Sequence, residues 1–123
     1  MVPGTGDYLI SLTLCEDIGK ALVQLVLYQE KWPKFFNIAG ETTTWNKIVS
    51  QAEKATKKKF QVEYVSKEAI EAKLNTSTDP EEQFNAIVDL AYVNGDIHIA
   101  KPSEEILKDV QFTTVEQLLK IYE

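Results

Sequence analysis

Arginine is absent from the 123 residues, so all thirteen basic side chains are lysines. The chain thus has no guanidinium fork for bidentate recognition of phosphate or carboxylate. Nineteen acidic residues bring the net charge to −6, which excludes the basic footprint a nucleic-acid or anionic-membrane surface requires. A single cysteine, Cys15, rules out an internal disulfide and fits a reducing compartment. The longest apolar stretch, Leu25–Tyr28, is far too short to span a bilayer. The start, Met1 to Asp7, has neither a charged region nor an apolar core of the secretory kind. A soluble, cytoplasmic protein is expected. Glycine is scarce too, and the pair Gly4-Thr5-Gly6 precedes a strand and has no third glycine. It is therefore no dinucleotide fingerprint, which must lie between a first strand and its helix.

What is present describes one α/β domain over residues 1–123. At 44% hydrophobic and 26% charged, the chain is neither disordered nor fibrous. After the turn-forming residues 3–7, Tyr8 to Leu14 reads as a strand ending in the acids Glu16 and Asp17. There the positive end of a helix dipole favours carboxylates. Ile18, Ala21, Leu22, Leu25 and Val26 recur at helical spacing, which predicts one buried face before Trp32-Pro33. Phe35 to Ala39 reads as a buried strand with a tight exit at Gly40.

Thr43 or Thr44 caps a helix whose face is Trp45, Ile48, Val49 and Ala52. Phe60 to Tyr64 alternates as a half-buried strand, and Ser66 caps a short helix to about Leu74. A polar loop, Asn75 to Asp79, follows. Asp79-Pro80-Glu81-Glu82 is a strong helix start, with Phe84, Ile87, Val88 and Ala91 as the predicted buried face and Gly95 as the stop. An extended piece from Ile97 to Ala100, a helical turn at Ser103–Leu107 and a capping box at Thr113–Gln117 complete the chain.

Chemistry-bearing constellations are few. The fourth residues after Tyr8, Tyr28, Tyr64 and Tyr92 are Leu12, Trp32, Glu68 and Asp96, so no Tyr-x-x-x-Lys dyad exists. His98 has no partnered serine or cysteine motif and reads as a structural or solvent-facing imidazole. Cys15, ahead of a helix start, reads as a small buried residue. No spacing suits a metal, and the lysines at 54–59 read as a solvated helix end. Catalytic, cofactor-binding and metal residues are therefore expected to be none.

The ordered set of motifs resembles the C-terminal half of NmrA-like proteins, the group that includes isoflavone reductases and related atypical short-chain dehydrogenases. Three stretches carry the likeness. The first is Leu14-Cys15-Glu16-Asp17-Ile18-Gly19. The second is Phe36 to Gly40 leading to Thr44-Trp45-Asn46-Lys47-Ile48-Val49, with Lys58-Lys59-Phe60 and Tyr64-Val65-Ser66 beyond. The third is Tyr92-Val93-Asn94-Gly95-Asp96, then Phe112 to Glu116.

This resemblance implies a partial doubly wound (Rossmann-like) sheet with a small α+β substrate-binding lobe. In that family an N-terminal Rossmann half holds NADP, and reductase members add a catalytic lysine there. Neither feature maps onto these residues, so no cofactor is expected for this chain alone. The implied function is the substrate-binding portion of an NAD(P)-dependent oxidoreductase-like protein, not catalytic by itself. The alternatives are a non-catalytic NmrA-type regulatory or dinucleotide-sensing module, or a truncated gene product. The helix from Pro80 to Asn94 would border the substrate cleft, making Phe84, Val88 and Tyr92, at i, i+4 and i+8, the pocket candidates. The expected partners are a small-molecule substrate and either a second copy or a complementary chain, with no nucleic acid and no membrane.

Overall fold

The computed structural model describes residues 1–122. In chain order the elements are β1 (Val2–Pro3), β2 (Ile10–Leu12), α1 (Cys15–Leu27), β3 (Glu41–Thr43), α2 (Trp45–Thr56) and β4 (Tyr64–Val65). Then come α3 (Lys67–Thr76), α4 (Pro80–Asn94), α5 (Glu104–Leu107), α6 (Val115–Leu119) and a 3₁₀ turn at Lys120–Tyr122. The α/β class holds, with the sheet realised as two short pairs. β1 lies parallel to β4, pairing Val2 with Tyr64 and Pro3 with Val65. β2 runs antiparallel to β3, pairing Ile10 with Thr43 and Leu12 with Glu41. No described helix is long and apolar enough to cross a membrane.

Capping residues set most helix boundaries. The Thr44 hydroxyl accepts the Lys47 amide at 3.2 Å, and Ser66 accepts the Ala69 amide at 3.3 Å. Asp79 accepts the Glu81 amide at 2.9 Å with Pro80 in the first turn, and Gly95 ends α4 in the left-handed region at φ +83°. At α6 the capping box is complete: Thr114 and Gln117 each hold the other's amide.

One buried cluster and several further buried residues organise the fold. Ile70, Ala86 and Val93 join α3 to α4, with Val65, Leu74 and Leu90 against them. Around β2, Ile10 and Ala21 are fully buried, while Ile106 and Leu107 bring α5 against α1. α6 lies against α2, whose predicted face of Trp45, Ile48, Val49 and Ala52 is half-buried and continues to buried Ala55.

Four expectations need correction. Phe35–Ala39 is not a strand; its backbone is held instead by Asn37, which receives the Ser103 amide on its carbonyl and donates its own amide to the Ser103 hydroxyl. Phe35 is 71% exposed, because a short apolar run has no periodicity to separate a buried strand from a loop. The strand read at Tyr8–Leu14 shrinks to Ile10–Leu12, and of that read at Phe60–Tyr64 Tyr64 alone is paired, in a strand that continues to Val65. The loop at Asn75–Asp79 is shorter, because α3 runs to Thr76.

The fourth correction concerns helix faces. On α1 the buried residues are Asp17 and Ala21, while Ile18, Leu22 and Val26 are exposed. On α4 the buried residues are Ala86 and Val93, whereas Phe84 and Ile87 are exposed. Ala21, one of the residues of the predicted α1 face, is buried as expected, and on α4 the inward face is the one carrying Ala86, Leu90 and Val93.

Candidate functional site

Asp17, which the helix-dipole reading placed only as a favoured first-turn acid, is fully buried. Its carboxylate accepts the Lys20 ammonium at 2.6 Å and the Thr113 amide at 2.6 Å. The Lys20 contact first, and the Thr113 amide second, hold its pKa below the usual carboxylate range against the opposing push of burial. Glu41 acts likewise from β3, accepting the Val115 amide at 2.7 Å at the start of α6. Gly40 donates to the Leu12 carbonyl at 3.1 Å and the Thr13 hydroxyl at 3.0 Å; a Cβ there would stand 2.8 Å from that carbonyl. The Leu14–Gly19, Phe36–Gly40 and Phe112–Glu116 stretches therefore meet in space. Both acids are engaged by donors from other parts of the chain or helix, which ties these stretches together.

The three pocket candidates share a helix but not an environment. Tyr92 packs edge-on against Trp45, ring centroids 5.8 Å apart, which ties α4 to the start of α2. Val88 is half-buried and Phe84 is 64% exposed. Next to Trp45, Asn46 is a junction. Its amide nitrogen donates to the Thr5 carbonyl at 3.0 Å and the Asp7 carboxylate at 2.7 Å, while its oxygen accepts the Tyr64 hydroxyl at 2.8 Å. Gly6, at φ +78°, allows this approach, since a Cβ would collide with the Asn46 side chain.

The Trp45 indole N–H is buried with no acceptor among the described residues. Tyr92, Trp45, Asn46, Tyr64 and the loop carrying Thr5 to Asp7 are thus joined by ring packing and hydrogen bonds. Sequence reasoning missed Asn46 as the junction; the signal was a polar residue one step inside a helix start, close in space to a Gly-x-Gly loop.

Other residues singled out by type lie elsewhere. Cys15 is exposed rather than buried, because it opens α1 on the solvent side. His98 is half-buried in the turn after Gly95, whose carbonyl accepts the His98 amide at 3.3 Å. No group of three His, Cys, Asp or Glu with metal-holding geometry occurs among the described residues.

At the far end of α1, Tyr28 and Glu105 line two adjoining clefts of about 270 and 240 Å³. Burial first, and the Glu105 carboxylate second, push the Tyr28 phenol above its ordinary value. Between α3 and α4 lies a cleft of about 300 Å³, lined by Met1, Val65, Ala69, Ile70, Lys73, Asn85, Ala86 and Asp89.

No family model matches the sequence and no curated protein is significantly similar. Solved structures do match. A crystal structure of isoflavone reductase superimposes with TM-score 0.82 at 19% identity, covering 99% of this chain and 42% of that one. The binary complex of leucoanthocyanidin reductase with NADPH from Vitis vinifera gives TM-score 0.76 at 19% identity, covering 99% and 45%. The Citrobacter sp. triphenylmethane reductase complexed with NADP(H) gives 0.71 at 16%, covering 100% and 44%. The chain spans less than half the length of each of these structures. Its fold is that of the C-terminal part of the isoflavone-reductase-like proteins, as the ordered motifs imply.

Proposed function

We propose that this chain is the substrate-side portion of an NAD(P)-dependent reductase-like protein. In this reading Phe84, Val88 and Tyr92 border the cleft for a planar aromatic substrate. The dinucleotide is held by a body outside these residues. The observation that carries it is the near-complete superposition on part of a reductase, taken with an α4 face whose largest apolar side chain, Phe84, points away from the chain's own core. Trp45 and Tyr92 fix one end of that face; the exposed Phe84 offers a flat apolar surface at the other. Dinucleotide pyrophosphate needs backbone amides at a glycine-rich turn, and here Gly4 and Gly6 shape a loop whose amide and carbonyl groups serve β4 and Asn46.

The same reading gives α1 a partner. Ile18, Leu22 and Val26 form an exposed stripe one helix-face long, with Val23 and Leu27 beside it. A second copy or a complementary chain covers it.

Two experiments test this. Amide chemical shifts followed during titration with an isoflavone should move at Phe84, Val88 and Tyr92. A titration that leaves all three unmoved overturns the substrate-side assignment. Calorimetry with NADPH alone should give no saturable heat, and a one-to-one complex at micromolar affinity would refute the placement of the dinucleotide elsewhere.

A further inference from the structure

The cleft between α3 and α4 lies on a different face of α4 from the Phe84–Val88–Tyr92 stripe, and its chemistry is different. Its walls are apolar: Val65, Ala69, Ile70, Ala86 and the Met1 side chain. Three polar side chains converge on it, Lys73 from α3 and Asn85 and Asp89 from α4. Their commitments differ. Lys73 is engaged with Glu82 at 3.5 Å, whereas the ion pairs of the described residues (Lys20–Asp17, Lys59–Glu53 and Lys73–Glu82) leave Asp89 out. Asp89 is a half-buried carboxylate facing an apolar wall without a counter-ion of its own. Desolvation raises its pKa above the ordinary value, and the more distant charges of Lys73 and the amino terminus only partly oppose this.

We propose that this cleft binds a small apolar molecule carrying one protonated amine, whose ammonium group pairs with the Asp89 carboxylate. The volume, about 300 Å³, matches the lower end of small-molecule sites and suits a single ring with a short aliphatic arm. The ring lies against Ile70, Ala69 and Ala86, and the Asn85 side-chain carbonyl, one residue before Ala86, accepts a second N–H. An anion is disfavoured, because it would approach Asp89, and of the two cations whose charge reaches that carboxylate, Lys73 and the amino terminus, Lys73 is already partnered by Glu82. A charge-assisted contact in a partly dry site discriminates strongly between an amine and its neutral isostere.

The probes are phenethylamine, 2-phenylethanol and phenylacetate, which share a ring and differ in charge. Titrations of the whole chain, followed by amide chemical shifts of Ile70, Ala86 and Asp89, should show saturable binding of the amine. The alcohol should bind about tenfold more weakly or worse, and the anion weaker still. In Asp89→Asn, an isosteric change at a desolvated carboxylate, the preference for the amine should disappear while the helical spectrum is kept. Equal affinity for the three probes in the unmodified chain overturns the proposal, as does an amine preference that survives Asp89→Asn. Absence of any binding at these amides overturns it as well, and this readout does not depend on Phe84, Val88 or Tyr92.

Discussion

Truncating Ile70 to alanine tests which stripe of α4 closes the core. Ile70 is 3% exposed and stands between Ala86 and Val93, so the change removes buried methyl and methylene groups from the α3–α4 contact. Substitutions of this kind cost about 2–5 kcal/mol, a transfer component plus one for the cavity left behind. Here the new void opens into the neighbouring cleft of about 300 Å³, where water can enter and limit the cavity component. The lower half of the range is therefore expected, about 2–3 kcal/mol, equivalent to about 10 °C in melting temperature for a chain of this size. Ile87→Ala on the opposing helix is the matched control. At 54% exposure, Ile87 should cost no more than about 0.5 kcal/mol. Urea unfolding followed by circular dichroism gives both values, provided the slope stays constant among the variants. An Ile87→Ala cost equal to or above that of Ile70→Ala would refute the observed face and restore the Phe84–Ile87–Val88–Ala91 stripe as core.

Other changes have definite signs. Gly19 lies inside α1 with nothing within 4 Å of the place an added methyl would occupy, so Gly19→Ala should stabilise by about 0.5–1 kcal/mol in the same unfolding assay. Lys57 ends α2 at φ +55°, a left-handed conformation that burdens a side chain, so Lys57→Gly should raise the urea midpoint by an amount equivalent to about 1 kcal/mol. Gly40→Ala should lower it by about 1–3 kcal/mol, because the added methyl meets the Leu12 carbonyl at 2.8 Å. Asp17, Glu53, Glu68 and Glu82 all have folded-state pKa values shifted below their ordinary ones. Their stabilisation is present above the unfolded value of about pH 4 and is lost as pH falls through the lowered folded values. Urea midpoints measured from neutral to acid pH should fall accordingly, and Asp17→Asn should flatten part of that fall while lowering the neutral value.

Local chemistry made much of the fold legible. Caps at Thr44, Ser66, Asp79 and Thr114, and the stop at Gly95, are decided by side chains within a turn of the helix end, so the sequence contains the whole interaction. The ordered motifs also pointed to the right architecture, because residues such as Asp17, Gly40 and Thr113 are constrained by contacts between stretches. Strands were less legible. A strand exists only where a partner supplies its ladder, and neither Tyr8–Leu14 nor Phe60–Tyr64 reveals how few of its residues find one. Phe35–Ala39 finds none. The Asn46 junction was hidden for a related reason: its partners, Thr5, Asp7 and Tyr64, are brought together by the β1–β4 pair and by two glycines at positive φ.

Helix faces failed in an instructive way. Periodicity identifies an apolar stripe but says nothing of where its cover comes from. On α1 the stripe Ile18–Leu22–Val26 outweighs Ala21 in apolar surface, and on α4 Phe84 and Ile87 outweigh Ala86, yet in both helices the smaller residues are the buried ones. Within the chain, α3 meets α4 through Ile70, Ala86, Leu90 and Val93, and α5 meets α1 with Ile106 and Leu107 buried. The larger ones on α1 and α4 are exposed, and on α1 the proposed reading gives them a second surface. A self-contained domain would gain by burying its bulkiest stripes first, since burial stabilises in proportion to area. The inverted order on two separate helices is what a body that completes its core against another surface would show. Polar substitution of that stripe discriminates between the two cases: Leu22→Gln with Val26→Gln should convert concentration-dependent sedimentation into that of a monomer that keeps its helical spectrum, and remove the concentration dependence of the unfolding midpoint. If the double variant instead unfolds the chain, or if the unmodified chain already sediments as a monomer at every concentration, the stripe belongs to this domain alone and the partner assigned to α1 falls.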